Sequence, residues 1–276
     1  MPTVQEVRNY WQEHPLHSFE LSEPVYPRFF EDIDRIKRTD IERFSLKFWE
    51  FDRFKDKKVL DVGCGPGWFT VQYAKAGARV TAVDLTLRAV ELTSSHLNYR
   101  NLSADVREAN AEDLPFPDEE FDMVFSAGVL HHTPDTPQAV AECFRVLKPG
   151  GISKIALYHQ GILHNRLLFP VTRMVMKLGK VKHPGADLAR EAKDLNDFIR
   201  QYDGISNPVG IAKTTAEWSE LLQKVGFQIE KYELHYFPKR FILFHSIIPD
   251  FIHRLCDNWF GTLIYFQLTK PVCKAL

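Results

Sequence analysis

An apolar run that ends in alternating glycines, Val59-Leu60-Asp61-Val62-Gly63-Cys64-Gly65-Pro66-Gly67, constrains this chain more than any other feature. Glycine tolerates positive φ and has no Cβ to hold backbone away from a ligand. Three of them alternating after a strand therefore predict a tight loop fitted closely to a nucleotide-like molecule. The dinucleotide fingerprint Gly-x-Gly-x-x-Gly would need glycine at position 68, where the chain has Trp68. Asp61 stands inside the strand end, where it would repel a pyrophosphate. A cationic ligand suits the spacing better.

About twenty residues on, the spacing typical of nucleotide-binding βαβ units, Arg79-Val80-Thr81-Ala82-Val83-Asp84 reads as a second buried strand ending in a carboxylate, placed to accept both hydroxyls of a ribose. The helix between the two strands, from about Trp68 to Ala76, stops at Gly77. Strand, glycine turn, helix, strand and acid make a right-handed βαβ unit that binds an adenosine.

On these residues the chain resembles the class I S-adenosylmethionine-dependent methyltransferases, closely over residues 57–160 and more weakly in the last helix and two strands. Within that class it resembles the small-molecule branch, methyltransferase type 11, that includes ubiquinone and menaquinone biosynthesis enzymes. The resemblance implies S-adenosyl-L-methionine as cofactor. By the match, the backbone of Gly63, Cys64, Gly65 and Gly67 approaches its methionine part and Asp61 helps hold the ammonium end. Asp84 binds the ribose, and Leu85 lies against the adenine. The segment from Ala109 to Asp118 is similar to the family's loop over the adenine, with Asn110 where aspartate is usual. The Asn110 carboxamide oxygen can still accept a bond from the exocyclic amine, and its other reading is a turn former. Ala111 would supply a backbone amide. Glu112 and, at the end of the fourth strand, Ser126 complete the expected cofactor set.

Absences narrow the chemistry. The fourth strand lacks the aspartates of metal-dependent catechol-type enzymes. The chain also lacks the Asn/Asp-Pro-Pro-Tyr motif of exocyclic-amine nucleic-acid enzymes and the paired-glutamate loop of protein-arginine enzymes. Of the eleven histidines, no pair shows helical i, i+4 spacing with a third partner, so no metal is expected. His131 and His132 follow the fourth strand, and Tyr158 and His159 end the fifth. These four are the candidates for moving an acceptor proton, each set against a packing role.

Alternating strands and helices predict a doubly wound α/β fold around a mostly parallel seven-stranded sheet, with a helical N-terminal lid and inserted helices. The expected division is a helical cap over 1–56, a cofactor-binding core over 57–160 and a helical insertion over 161–213. The remainder, 214–276, completes the sheet around an apolar insertion at 237–261. One helix is expected over Val4–Glu13 and a longer one over Phe30–Phe51, and Lys148–Gly151 is expected to be a turn before a strand at 152–158. The apolar insertion reads as a lid or a homodimer contact, with a lipid-side or apolar-substrate contact as the alternative.

A length of 276 residues and 45% hydrophobic content suit one elaborated α/β domain. A net charge of −1 and the absence of a basic stripe weigh against nucleic-acid partners. Nothing reads as a membrane span or signal peptide, and Cys64 inside the glycine loop fits a reducing cytoplasm. The expected function is in-line methyl transfer, without a metal, to a small organic acceptor, with oxygen favoured and carbon or nitrogen as alternatives. A different class of reading is a protein that binds the cofactor without turnover.

Overall fold

The computed structural model describes residues 2–15, 28–161, 207–237 and 249–272, together with Pro170, Met174, Asp197 and Arg200. Most of the expected insertion at 161–213, part of the N-terminal cap and the apolar run 238–248 lie outside the described residues. The sheet is built from β1 (Lys58–Val62), β2 (Arg79–Asp84), β3 (Asp105–Glu108), β4 (Phe121–Ala127), β5 (Leu147–Tyr158), β6 (Gln228–His235) and β7 (Leu263–Thr269). Their order is β3-β2-β1-β4-β5-β7-β6. The first five strands pair in parallel, and β7 runs antiparallel to both β5 and β6. This is the mostly parallel seven-stranded sheet expected from the sequence.

The helices are α1 (Val4–Glu13), α2 (Arg28–Ile36), α3 (Trp68–Lys75), α4 (Leu87–Tyr99), α5 (Thr136–Val146), α6 (Thr215–Val225) and α7 (Asp250–Phe260). None of the described helices is long and apolar enough to cross a membrane. β1 is covered on both faces, so every residue from Val59 to Val62, Asp61 included, is buried. Leu60 and Val62 join a core with Val124, Val140 of α5, and Trp218 and Leu222 of α6. Val59, on the opposite face, joins Met123, Phe125 and the aromatics Phe30, Trp49 and Tyr73. The N-terminal aromatics thus cover one face of the sheet. Strand order reverses between β1 and β4, and a crevice opens there at the carboxyl ends of the strands, where open α/β sheets bind ligands.

Two local expectations are corrected. The helix expected over Phe30–Phe51 breaks after α2 into a π-helical turn at Lys37–Ile41 and short 3₁₀ turns at Leu46–Trp49 and Phe51–Phe54. Tertiary donors capture the carbonyls that a helix would use: Lys154 Nζ donates to Phe48 O, and Tyr73 Oη donates to Trp49 O at 2.7 Å. Glu50 then turns the chain with φ +47°. The second correction is that Lys148-Pro149-Gly150-Gly151 lies within β5. The register against β4 jumps from Phe121↔Leu147 to Met123↔Ile152, so the extra residues form a bulge, and Gly150 N–H donates to Lys270 O.

Within the expected apolar insertion, the described part is α7, which packs on β6 through buried His253 and Asp257. Phe251, Leu255 and Trp259 on its other side are 67, 55 and 73% exposed.

Candidate functional site

The glycine turn leaves β1 and is tied at once to β2: the amides of Gly63 and Cys64 both donate to Val83 O, at 2.8 and 3.0 Å. Gly63 has φ +86°, and a Cβ there would sit 2.4 Å from the Val129 side chain, so no other residue fits without displacing the loop after β4. Gly65, at φ +52°, is different, because nothing lies within 4 Å of where its Cβ would be. The turn is left open there, toward a cavity at the carboxyl ends of the strands that Gly63, Cys64 and Gly65 all line. Gly67 stands at the start of α3, outside the cavity lining.

Two carboxylates flank the turn and line the cavity. Asp84 Oδ2 accepts from Gly65 N–H at 3.0 Å, and Oδ1 accepts from the amide and hydroxyl of Thr86, both at 3.0 Å. Burial still raises its pKa above the ordinary carboxylate value. Asp61 is 2% exposed and accepts from the Thr70 hydroxyl at 2.6 Å. Its burial, with the charge of Asp84 added, pushes its pKa up to about 7 against the opposing effects of Thr70 and Lys37.

On the adenine side of the expected site, Leu85, Ala109, Asn110 and Ala111 line the cavity. The Asn110 side-chain oxygen accepts from Glu112 N–H at 3.1 Å, so this residue does close a turn. Arg145 braces the following loop from α5, donating to Leu114 O and Phe116 O at 2.9 and 2.8 Å while its guanidinium also engages Glu142 and Asp118. Glu112 and Ser126 lie outside the cavity lining. Glu112 Oε1 accepts from Asp135 N–H at 2.7 Å, linking this loop to the start of α5. Ser126 is fully buried and donates to Val62 O at 2.8 Å, joining β4 to β1.

The four proton-transfer candidates separate. Only His132 lines the cavity, with the edge of its ring against Trp11 at 5.2 Å and its Nδ1 2.6 Å from Val209 O. His131 is fully buried, its ring tilted against that of Tyr158 at 3.8 Å, and its Nδ1 accepts from Tyr158 N–H at 3.3 Å. Burial and the neighbouring His132 hold its pKa well below the usual imidazole value. His159 Nδ1 bonds Gly261 O at 3.3 Å and its Nε2 meets the Thr215 hydroxyl at 3.2 Å, tying β5 to the start of α6. Burial lowers its pKa too. Tyr158 accepts through its carbonyl from Trp218 Nε1 at 2.8 Å.

The cavity has walls that motif spacing did not assign. Val4, Val7 and Trp11 of α1 line it. Arg8 on the same helix pairs with Glu108 at the end of β3, and Gln12 accepts from Arg88 N–H at 3.2 Å. The sequence signal is present in retrospect: positions i, i+3 and i+7 share one helix face, and Thr3 with Glu6 forms a capping box that fixes the start. Trp68 and Phe69 line the cavity from α3, and Trp68 Nε1 donates to Asp34 of α2 at 2.8 Å. Lys37, the first residue of the π-helical turn, lines it as well.

Comparison with known proteins agrees with this geometry. Residues 60–155 match the family described as a methyltransferase domain. A Mycolicibacterium smegmatis protein named "Probable S-adenosylmethionine-dependent methyltransferase" is 31% identical over 178 residues, 64% of this chain and 54% of that protein. A ubiquinone biosynthesis O-methyltransferase of Actinobacillus pleuropneumoniae serotype 5b is 32% identical over 146 residues, 51% of this chain and 62% of that protein. The chain thus spans between half and two thirds of the length of these curated relatives.

Among solved structures, an S-adenosylmethionine-dependent methyltransferase from Mesorhizobium loti superposes with a TM-score of 0.55 at 16% identity, covering 81% of this chain and 96% of that one. The [4+2]-cyclase SpnF superposes with a TM-score of 0.57 at 19% identity, covering 98% and 97%. At these identities the likeness is one of fold. Residues 60–155 thus match a methyltransferase domain, on a fold shared with solved methyltransferases, and the Mycolicibacterium relative is named for S-adenosylmethionine as its methyl donor.

Proposed function

We propose, from a methyltransferase domain whose cavity holds two carboxylates at a glycine turn and one imidazole on the opposite loop, that this protein methylates a small organic acceptor, with oxygen the favoured atom. The observation that carries the reading is the placement of Asp61, Gly65 and Asp84 on one cavity wall and His132 after β4 on the same cavity.

The donor fits these residues by their chemistry. A buried carboxylate held partly protonated, Asp61, gains an ionic partner when an ammonium enters. Asp84, oriented by Gly65 and Thr86, offers an acceptor to ribose hydroxyls, and the open space beside Gly65 admits a ligand against bare backbone. Leu85, Ala109 and Ala111 give an apolar surface for a base, beside the Asn110 turn. When bound, S-adenosylmethionine supplies an electrophilic methyl group on a sulfonium sulfur.

The chain's own contribution is orientation, water exclusion and proton handling. Val4, Val7 and Trp11 cover the cavity, and His132 takes the proton of a hydroxyl acceptor at Nε2. The name of the Actinobacillus relative supports oxygen as the acceptor atom, with carbon and nitrogen next. A second reading, a protein that keeps the cavity without methyl transfer, is favoured by one observation: a fold shared over nearly the whole chain also serves a cyclase.

Isothermal titration with S-adenosylhomocysteine tests the donor. The wild type should bind it and Asp84→Ala should lose most of that affinity; no binding, or no effect of the substitution, ends the donor reading. Incubation with labelled donor and pooled metabolites then separates the two functions, since label appearing in any small molecule excludes the non-catalytic one.

A further inference from the structure

The amino-acid end of S-adenosylmethionine carries two opposite charges, and Asp61 answers only one of them. The other, a carboxylate, would enter a cavity already lined by Asp61 and Asp84 and be repelled by both. A cation is needed at that end. Among the described residues lining the cavity, Lys37 is the one lysine or arginine.

Its setting is built. The Lys37 side chain is 10% exposed, and its ammonium lies 4.9 Å from the centre of the Phe69 ring, which is itself a cavity wall. Lys37 and Asp61 line the same cavity, and the lysine charge opposes the rise in the Asp61 pKa. Glu42 holds the ammonium from behind at 3.7 Å, outside hydrogen-bond reach. The Glu42 carboxylate takes its hydrogen bonds from neutral donors: the Ser45 hydroxyl, Trp49 Nε1 at 3.0 Å and Tyr265 Oη at 3.3 Å. Glu42 thus stands behind Lys37 without depending on it for hydrogen bonds. Lys37 also opens a π-helical turn, a local departure from the helix that aims one side chain differently from its neighbours.

We propose that Lys37 is the counter-charge for the carboxylate of the methyl donor, and that Lys37 with Asp61 selects ligands ending in a zwitterionic amino acid. The inference rests on the donor reading above and goes beyond it by naming the group that recognises the carboxylate.

The test measures binding of three ligands by isothermal titration: S-adenosylhomocysteine, its decarboxylated amine, and 5′-methylthioadenosine, which lacks the amino-acid end altogether. The wild type should bind S-adenosylhomocysteine about tenfold or more tightly than the amine, the scale expected for a charge-assisted contact. Lys37→Met should bring the two within about threefold of each other while leaving methylthioadenosine affinity unchanged, which also shows that the variant folds. Lys37→Arg, which keeps the charge, should retain the preference. The proposal is overturned if Lys37→Met keeps the wild-type preference, or if it weakens all three ligands equally. Failure of the wild type to bind any of the three overturns the donor reading itself, and is thereby told apart.

Discussion

The Nδ1 of His132 stands 2.6 Å from the carbonyl oxygen of Val209. A carbonyl can only accept, so the ring proton of the neutral imidazole is held on Nδ1 and the lone pair falls to Nε2. This fixes the tautomer a general base needs, on a residue that lines the cavity. For an alcohol or phenol acceptor, His132→Ala is expected to lower kcat by roughly two to four orders of magnitude. Affinity for S-adenosylhomocysteine should stay within about threefold, because the proposed donor contacts lie on the β1 and β2 side. Steady-state kinetics beside calorimetry checks both. A near-normal kcat would instead identify an acceptor that is already ionised when it binds.

The adjacent histidine should behave in the opposite way. His131 is fully buried and its Nδ1 accepts the Tyr158 amide proton, so it supports the end of β5 and does not meet the cavity. His131→Phe keeps a ring against Tyr158 but orphans that amide, at a cost of about 1–3 kcal/mol of folding stability. Urea denaturation should show the loss, with donor affinity unchanged. A collapse of kcat at unaltered stability would move the base role from His132 to His131.

The proposed role of Asp61 predicts that donor binding depends on pH. In the free protein, burial first and then the charge of Asp84 raise its pKa to about 7. The ionised form is the one that holds an ammonium, so binding must release the proton that Asp61 carries below that pH. Affinity for S-adenosylhomocysteine should therefore rise about tenfold between pH 6 and pH 8, following the ionised fraction. Calorimetry in two buffers of different ionisation enthalpy should record proton release near neutrality. Asp61→Asn should bind more weakly and lose the pH dependence. An unchanged profile in that variant would show that another group titrates.

The parts of the site that were legible in the sequence are those in which local backbone chemistry dictates function. Alternating glycines at 63 and 65 need positive φ, and the acids at strand ends 61 and 84 follow from the βαβ pattern. The mostly parallel seven-stranded sheet was legible from the alternation of strands and helices. Lys37 was not, because the π-helical turn that carries it departs from the helix the spacing predicts, and the cavity residues beside it, Asp61 and Phe69, lie more than twenty residues away in sequence. Ser126 and Glu112 stand next to site residues in sequence, yet their side chains tie β4 to β1 and the adenine-side loop to α5. Neighbourhood along a chain does not say which face a side chain takes.

The exposed helix α7 is fastened to the sheet by an ionic cluster whose strength depends on pH. His235 at the end of β6 bonds Asp257 of α7 at 2.7 Å through Nδ1 and Glu233 at 3.1 Å through Nε2, and Lys231 pairs with Glu233 at 2.8 Å. Burial alone would lower the pKa of His235, but its bonds to Asp257 and Glu233 outweigh burial and raise it above the ordinary imidazole value. A histidine that binds its proton more tightly when folded adds stability that is fully present below its unfolded pKa of about 6.5 and fades as pH rises through the higher folded value. The wild-type Tm should accordingly fall between pH 6 and pH 9 more steeply than that of Asp257→Asn. The asparagine keeps an oxygen to accept from Phe237 N–H, now made to Asp257 Oδ1 at 2.9 Å, while removing the charge. Parallel Tm curves for the two proteins would mean that the cluster fastens α7 by hydrogen bonding alone, with no contribution from the imidazolium.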